Sequence, residues 1–130
     1  MPVTSSTSSI KRWPAADTVL RSVEAWANAQ TEVRPGLAAL GYFGSYARNE
    51  AGFGSDIDLI AIVEHSEASY LERASDWPYE RLPVPADLLV YTVEEWTLLI
   101  HRGDRFARVL TNEVVWVVGG PPESEPAMQR

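Results

Sequence analysis

A chain of 130 residues, 45% of them hydrophobic and five of them tryptophan, has the material for one packed domain and none to spare for a second. Its net charge of -7, from 18 acids against 11 bases, sets a field that repels polyanions and argues against direct, non-specific binding of DNA or RNA. The absence of cysteine removes disulfide scaffolds and thiolate metal sites; no apolar run reaches the length of a membrane span, and "MPVTSSTSSIKRW" lacks the apolar stretch of a signal peptide, so a cytoplasmic chain is expected.

Ser, Thr and Pro crowd the first residues and "GGPPESEPAMQR" closes the chain, which predicts poorly ordered tails over 1–12 and 119–130 around a single domain at 13–118. Pro14 suits a first helical turn, and Ala16, Val19, Leu20, Val23, Trp26 and Ala27 recur at helical spacing until "RPG" breaks the pattern. "LAALGYF" reads as a strand, Gly44 as a tight turn, and "SYARNE" as a short helix capped by Ser45. "DIDLIAIV" is apolar on both faces after its acids, as in a strand inside a covered sheet. "SEASYLERA" is a helical candidate, "DWPYERLPVP" a proline-punctuated loop, and "ADLLVYT" a third strand. Thr92 and Glu95 form a capping box before a helix that Gly103 can end; Phe106, Val109 and Leu110 mark a shorter helix, and "EVVWVV" a last strand. Strands alternating with helices predict an α/β domain in which helices cover a small sheet.

The chemistry concentrates in "GSYARNEAGFGSDIDLIAIV". Residues two apart on a strand share a face, so Asp56 and Asp58 present two carboxylates together, and such a pair repels unless a cation lies between. Hard oxygen ligands at that spacing suit Mg²⁺, which takes one or two carboxylates and completes its shell with water and substrate phosphates. Gly44 lets a ligand approach the backbone, the amides that follow form an anion site, Ser45 offers its hydroxyl, and Arg48 adds positive charge. Asp87 opens another apolar strand; three carboxylates can hold two metals about 4 Å apart, with Asp87 placed to orient or deprotonate a nucleophile.

Gly44, Ser45, Ala47, Arg48, Ser55, Asp56, Asp58 and Leu59 match, position by position, the signature that the minimal nucleotidyltransferases of the DNA polymerase beta superfamily carry. The segment from about residue 38 to 118 resembles that family, including "VYTVEEW" after the third acid. The resemblance implies a mixed β-sheet with the polymerase-beta-like palm fold, phosphate binding at Gly44, Ser45, Arg48 and Ser55, and two Mg²⁺ ions on Asp56, Asp58 and Asp87. It implies transfer of a nucleoside monophosphate, AMP from ATP or from another NTP its counterpart, to a hydroxyl, with release of pyrophosphate. Minimal members pair with an all-helical HEPN toxin, so the resemblance also implies an antitoxin that adds AMP to a tyrosine of that partner; oligomers are compatible with it. Asn49 replaces the usual glycine of the signature, and asparagine tolerates a left-handed backbone better than other non-glycine residues.

Two other readings compete. A binding module could keep the fold and neutralise its partner without turnover; a metal-dependent glycosyltransferase would use Asp-x-Asp but leave the Gly-Ser turn unexplained and needs a longer chain. Elsewhere, His65 and His101 are isolated, and Trp26, Trp96 and Trp116 fit core positions. Arg102, Arg105 and Arg108 recur every three residues, either as a solvated face or as a basic rim for a triphosphate or an acidic partner.

Overall fold

The computed structural model describes residues 13–122. The tail expected over 1–12 lies outside them, as do residues 123–130, while Gly119 belongs to the last strand, one residue past the expected boundary. The elements run α1 (Ala16–Val33), β1 (Leu37–Phe43), β2 (Ile57–Val63), β3 (Ala86–Thr92), α2 (Val93–Arg102), α3 (Arg105–Glu113) and β4 (Val115–Gly119).

The four strands form one mixed sheet in the order β3-β2-β1-β4, with β1 antiparallel to both neighbours and β2 parallel to β3. This is the small mixed sheet with helices that the sequence led us to expect. Interior β2 is buried on both faces, which is why its apolar run does not alternate with polar residues. Ile57, Leu59 and Ala61 pack towards Val19, Val23 and Trp26 of α1, whereas Ile60 and Ile62 pack towards Trp96 and Leu99 of α2 and Ala107 and Leu110 of α3. Helices therefore cover both faces, each docking through an apolar stripe at helical spacing.

Pro14 stands just before the N-cap residue Ala15, outside the first helical turn. At the other end of α1, Arg34 donates its backbone N–H to the Gln30 carbonyl and its side chain to Oε1 of Gln30, the one buried polar residue among those described. The Thr92–Glu95 capping box opens α2 and Gly103, at φ 63°, closes it. Trp26, Trp77 and Trp96 are buried, and Trp116 meets Trp96 edge-on at 5.7 Å. Trp77, from the proline-rich loop, is a core residue that loop composition concealed.

Two helical expectations change. The parallel connection from β2 to β3 carries 3₁₀ segments at Tyr70–Asp76 and Tyr79–Arg81 in place of an α-helix. Tyr70–Asp76 buries no residue, so no apolar stripe exists to reward a longer helix. The "SYARNE" segment begins with a 3₁₀ turn, Gly44–Tyr46, whose N-cap residue is Phe43, and Ser45 makes no capping bond. The turn stops because Asn49 adopts φ 61° and the N–H groups of Asn49 and Glu50 bond to the carbonyls of Tyr46 and Ser45, a Schellman closure with asparagine in the left-handed position.

Candidate active site

The topology gathers one end of the sheet. Antiparallel pairing sets Phe43, the last residue of β1, opposite Asp58 at the start of β2, and parallel pairing sets Asp58 directly beside Asp87 at the start of β3. The antiparallel partner β4 starts at the same end, opposite Tyr42, and so delivers the last turn of α3 there. The Gly44 turn, Asp56 and Asp58, Asp87 and the end of α3 thus meet although they come from four parts of the chain.

Asp58 and Asp87 project from the sheet face that carries Ile60, Ile62 and Tyr91, beyond the part that α2 and α3 cover. Asp58 is half-buried, while Asp56, one residue before β2, and Asp87 are exposed. Burial pushes the Asp58 carboxyl above its ordinary range, and the charges of Asp87 and Asp56 push it further, with Arg48 opposing them. Among the described residues no group of three acids or histidines is drawn close enough together to form a ligand set. A half-buried carboxylate beside a second and near a third, with excess negative charge, fits a hard divalent cation in the chemistry of its donors.

Gly44 is required on two counts. Its φ is +78°, and a Cβ there would collide with Asp58 Oδ2. The turn and the acid are therefore in contact, which is the closeness that a phosphate shared between them needs.

The phosphate side is less open than the sequence implied. Gly44 donates its N–H to Glu113 Oε2 at 2.7 Å, and Arg48 Nη1 donates to the same oxygen at 3.1 Å. Arg48 Nε is bonded to Glu50 at 2.9 Å, so this guanidinium serves two carboxylates rather than standing ready as a free cation. A single 3₁₀ turn also has little dipole to offer an anion. Ser45 Oγ makes no hydrogen bond among the described residues, whereas Ser55 Oγ accepts the Gly52 N–H at 2.9 Å and so shapes the turn that leads into Asp56.

Glu113 is the site residue that sequence reasoning missed. One local signal pointed to it: a carboxylate in the last turn of a helix opposes the helix dipole, an arrangement disfavoured by about 0.3–1 kcal/mol unless other donors hold it. Of the remaining candidates, His65 and His101 are exposed and away from the acids. Arg102 lies with Asp104 beside a different cleft, while Arg105 and Arg108 line a cleft with Arg48.

The family model for the nucleotidyltransferase domain matches residues 28–117, a span that takes in the Gly44 turn, the three acids and Glu113; the chain belongs to this family and is a nucleotidyltransferase. Among solved structures it is similar to a candidate nucleotidyltransferase from Sulfolobus solfataricus, at 20% identity and TM-score 0.56, over 78% of this chain and 80% of that one. It is also similar to a toxin-antitoxin structure determined with AMP-PNP, at 18% identity and TM-score 0.50, over 75% of this chain and 73% of that one. The toxin-antitoxin MntA-HpeT lies further off, at 14% identity and TM-score 0.45, over 82% of this chain and 75% of that one. A comparison with curated proteins yields no match.

Proposed function

We propose that this nucleotidyltransferase moves AMP from ATP to a hydroxyl of a partner protein, a tyrosine of a HEPN-type toxin, and acts as that toxin's antitoxin. The observation that carries the transfer chemistry is the register that sets Asp58 beside Asp87, with Gly44 in contact with Asp58. Asp58, Asp87 and Asp56 are the residues to hold Mg²⁺, which when bound polarises the α-phosphate and offsets the charge of the departing pyrophosphate. Asp87 is exposed at the far side of Asp58 from the Gly44 turn, a position suited to receive the proton of the attacking hydroxyl. The acceptor oxygen forms a bond to the α-phosphorus, the bond from that phosphorus to the bridging oxygen breaks, and pyrophosphate leaves with the electron pair. Ser45, whose hydroxyl is free among the described residues, positions the phosphates where Gly44 leaves room for them beside Asp58, so positioning and charge supply most of the effect.

Two observations support a protein acceptor. A solved relative by fold is a toxin-antitoxin with AMP-PNP. The face of β3 that carries Asp87 also carries Tyr91, which lines a cleft of about 430 Å³ with Tyr70, Leu98 and Phe106, and all three of these are exposed. The test is incubation of the purified protein with Mg²⁺, a HEPN-type protein found encoded beside it and ATP labelled at the α- or the γ-phosphate; the lack of any such neighbour would overturn the choice of partner. Label should pass to the partner from the α-position only, and Asp58→Asn with Asp87→Asn should lower transfer at least a thousandfold. Stable binding of the two proteins with no label transferred would replace this reading by the non-catalytic binding module.

A further inference from the structure

We infer that α3 forms a second wall of the nucleotide site, with Arg105 and Arg108 receiving the tail phosphates of the NTP and of the pyrophosphate that leaves. This rests on the proposed transfer reaction and names which residues take the leaving group. Arg105, Arg108 and Asn112 fall at i, i+3 and i+7 and so form one stripe of α3, with Val109 and Glu113 beside them. The stripe faces Arg48 across an open cleft of about 520 Å³. Glu113, at the end of the stripe, bonds to Gly44 N–H and Arg48, and so fixes the whole row of side chains against the turn that abuts Asp58.

Charge makes the cleft selective. Arg21, Arg34, Arg48, Arg73 and Arg102 each have a carboxylate partner; among the described residues Arg81, Arg105 and Arg108 have none, and of these three Arg105 and Arg108 share the cleft. In a chain of net charge -7, unpaired guanidinia on one wall of a cleft mark where negative charge is to be received. Arg108 is oriented by donating Nη1 to the Gly103 carbonyl at 2.7 Å, which leaves its other donors for a ligand. The Gly44 turn with Arg48 has little free positive charge for a triphosphate, because Glu113 and Glu50 already claim the Gly44 amide and the guanidinium. The tail of the triphosphate therefore finds its cations on α3. Two guanidinia there stabilise the charge that grows on pyrophosphate as its bond to the α-phosphorus breaks.

The experiment is equilibrium titration, in Mg²⁺, of ATP, AMP and inorganic pyrophosphate into the wild type, Arg105→Gln with Arg108→Gln, the corresponding double lysine variant, and Asp58→Asn. The double glutamine variant should lose at least tenfold in affinity for ATP and pyrophosphate, keep AMP within twofold, and be largely restored by lysine. Equal weakening of ATP and AMP, or no weakening of either, overturns the inference and leaves the transfer reading intact. A wild type that binds neither ATP nor pyrophosphate, or that binds ATP no better than Asp58→Asn does, overturns the transfer reading and this inference with it. Since Arg108 also holds the Gly103 carbonyl, Arg105→Gln alone carries the test if the double variant unfolds, with a threefold or greater loss for ATP and none for AMP as the supporting result.

Discussion

Gly44 and Asn49 sit five residues apart, both at positive φ, and the contrast between them separates what the backbone requires from what the site requires. At Asn49 the need is conformational alone: a left-handed residue at the end of one turn, which asparagine meets at small cost because its short side chain tolerates that region. At Gly44 the added atom itself is excluded, since a Cβ would occupy the place of Asp58 Oδ2. Gly44→Ala must therefore pay the left-handed penalty of about 1–2 kcal/mol and also displace a carboxylate of the proposed reaction centre. The expected outcome is a modest fall in thermal stability with nucleotidyl transfer lowered on the order of a hundredfold, the usual result of moving a reacting group by about an ångström. Turnover and melting temperature measured on one preparation decide it. An alanine variant that keeps the parental rate would mean that Asp58 Oδ2 has no fixed place in the reaction.

Among the elements, the first half of the crossover from β2 to β3 is tied down by one side chain, while Trp77, Leu82 and Val84 anchor the second half in the core. Arg73 donates to the carbonyls of Ala68 and Val90 and, in a two-pronged pair at 2.5 and 3.0 Å, to Glu95, whose carboxylate also accepts the Thr92 N–H at the start of α2. It ties a 3₁₀ segment that buries nothing to a strand and a helix cap. The Arg73 bonds hold the Glu95 carboxyl below its ordinary value of 4.5, with the Thr92 backbone acting in the same sense. For an acid whose folded value is depressed, the stabilisation is complete above the unfolded value and is lost as pH falls through the folded one. Unfolding in urea at a series of pH values should show stability falling from about pH 5 downwards, and Glu95→Gln should flatten that slope while lowering stability at pH 7 by roughly 1 kcal/mol, the carboxylate being partly exposed. A slope unchanged in the glutamine variant would assign the acid sensitivity to other carboxylates. Such ties explain what the sequence did and did not reveal. β1 and β3 coincide with the segments "LAALGYF" and "ADLLVYT" because a strand inside a covered sheet writes its apolar run locally, and α2 was marked by its caps. Asp56, Asp58 and Asp87 were legible because each opens such a run. Glu113 was not, since its partners Gly44 and Arg48 lie 69 and 65 positions earlier, and neither was the 3₁₀ segment Tyr70–Asp76, which Arg73 ties to β3 and α2.

At the scale of the whole molecule, the fold holds Asp58 where its charge is unwelcome. The apolar packing of β2 between two helical layers keeps this acid half-buried beside Asp87, in a chain that already carries net charge -7. Burial and its acidic neighbours raise the Asp58 carboxyl, so its ionised form opposes folding in full above that raised value, and the opposition fades as pH falls from there to the ordinary carboxylate range. At neutral pH, Asp58→Asn should therefore raise the melting temperature in EDTA even as it abolishes transfer. The proposed cation site predicts the opposite ranking once Mg²⁺ and ATP are present. A ligand at a hundred times its dissociation constant adds about 2.7 kcal/mol to the folded state. For a domain of this size that amounts to a rise of roughly 10 °C, given to the wild type and withheld from the variant. Screening would stabilise so acidic a chain in any salt, so the comparison belongs at constant ionic strength, with Na⁺ replacing Mg²⁺. If the variant melts below the wild type in EDTA, Asp58 is held by Arg48 rather than strained by its neighbours. If both proteins gain equally from Mg²⁺, the cation acts on the surface at large and the carboxylates at the head of β2 and β3 do not bind it.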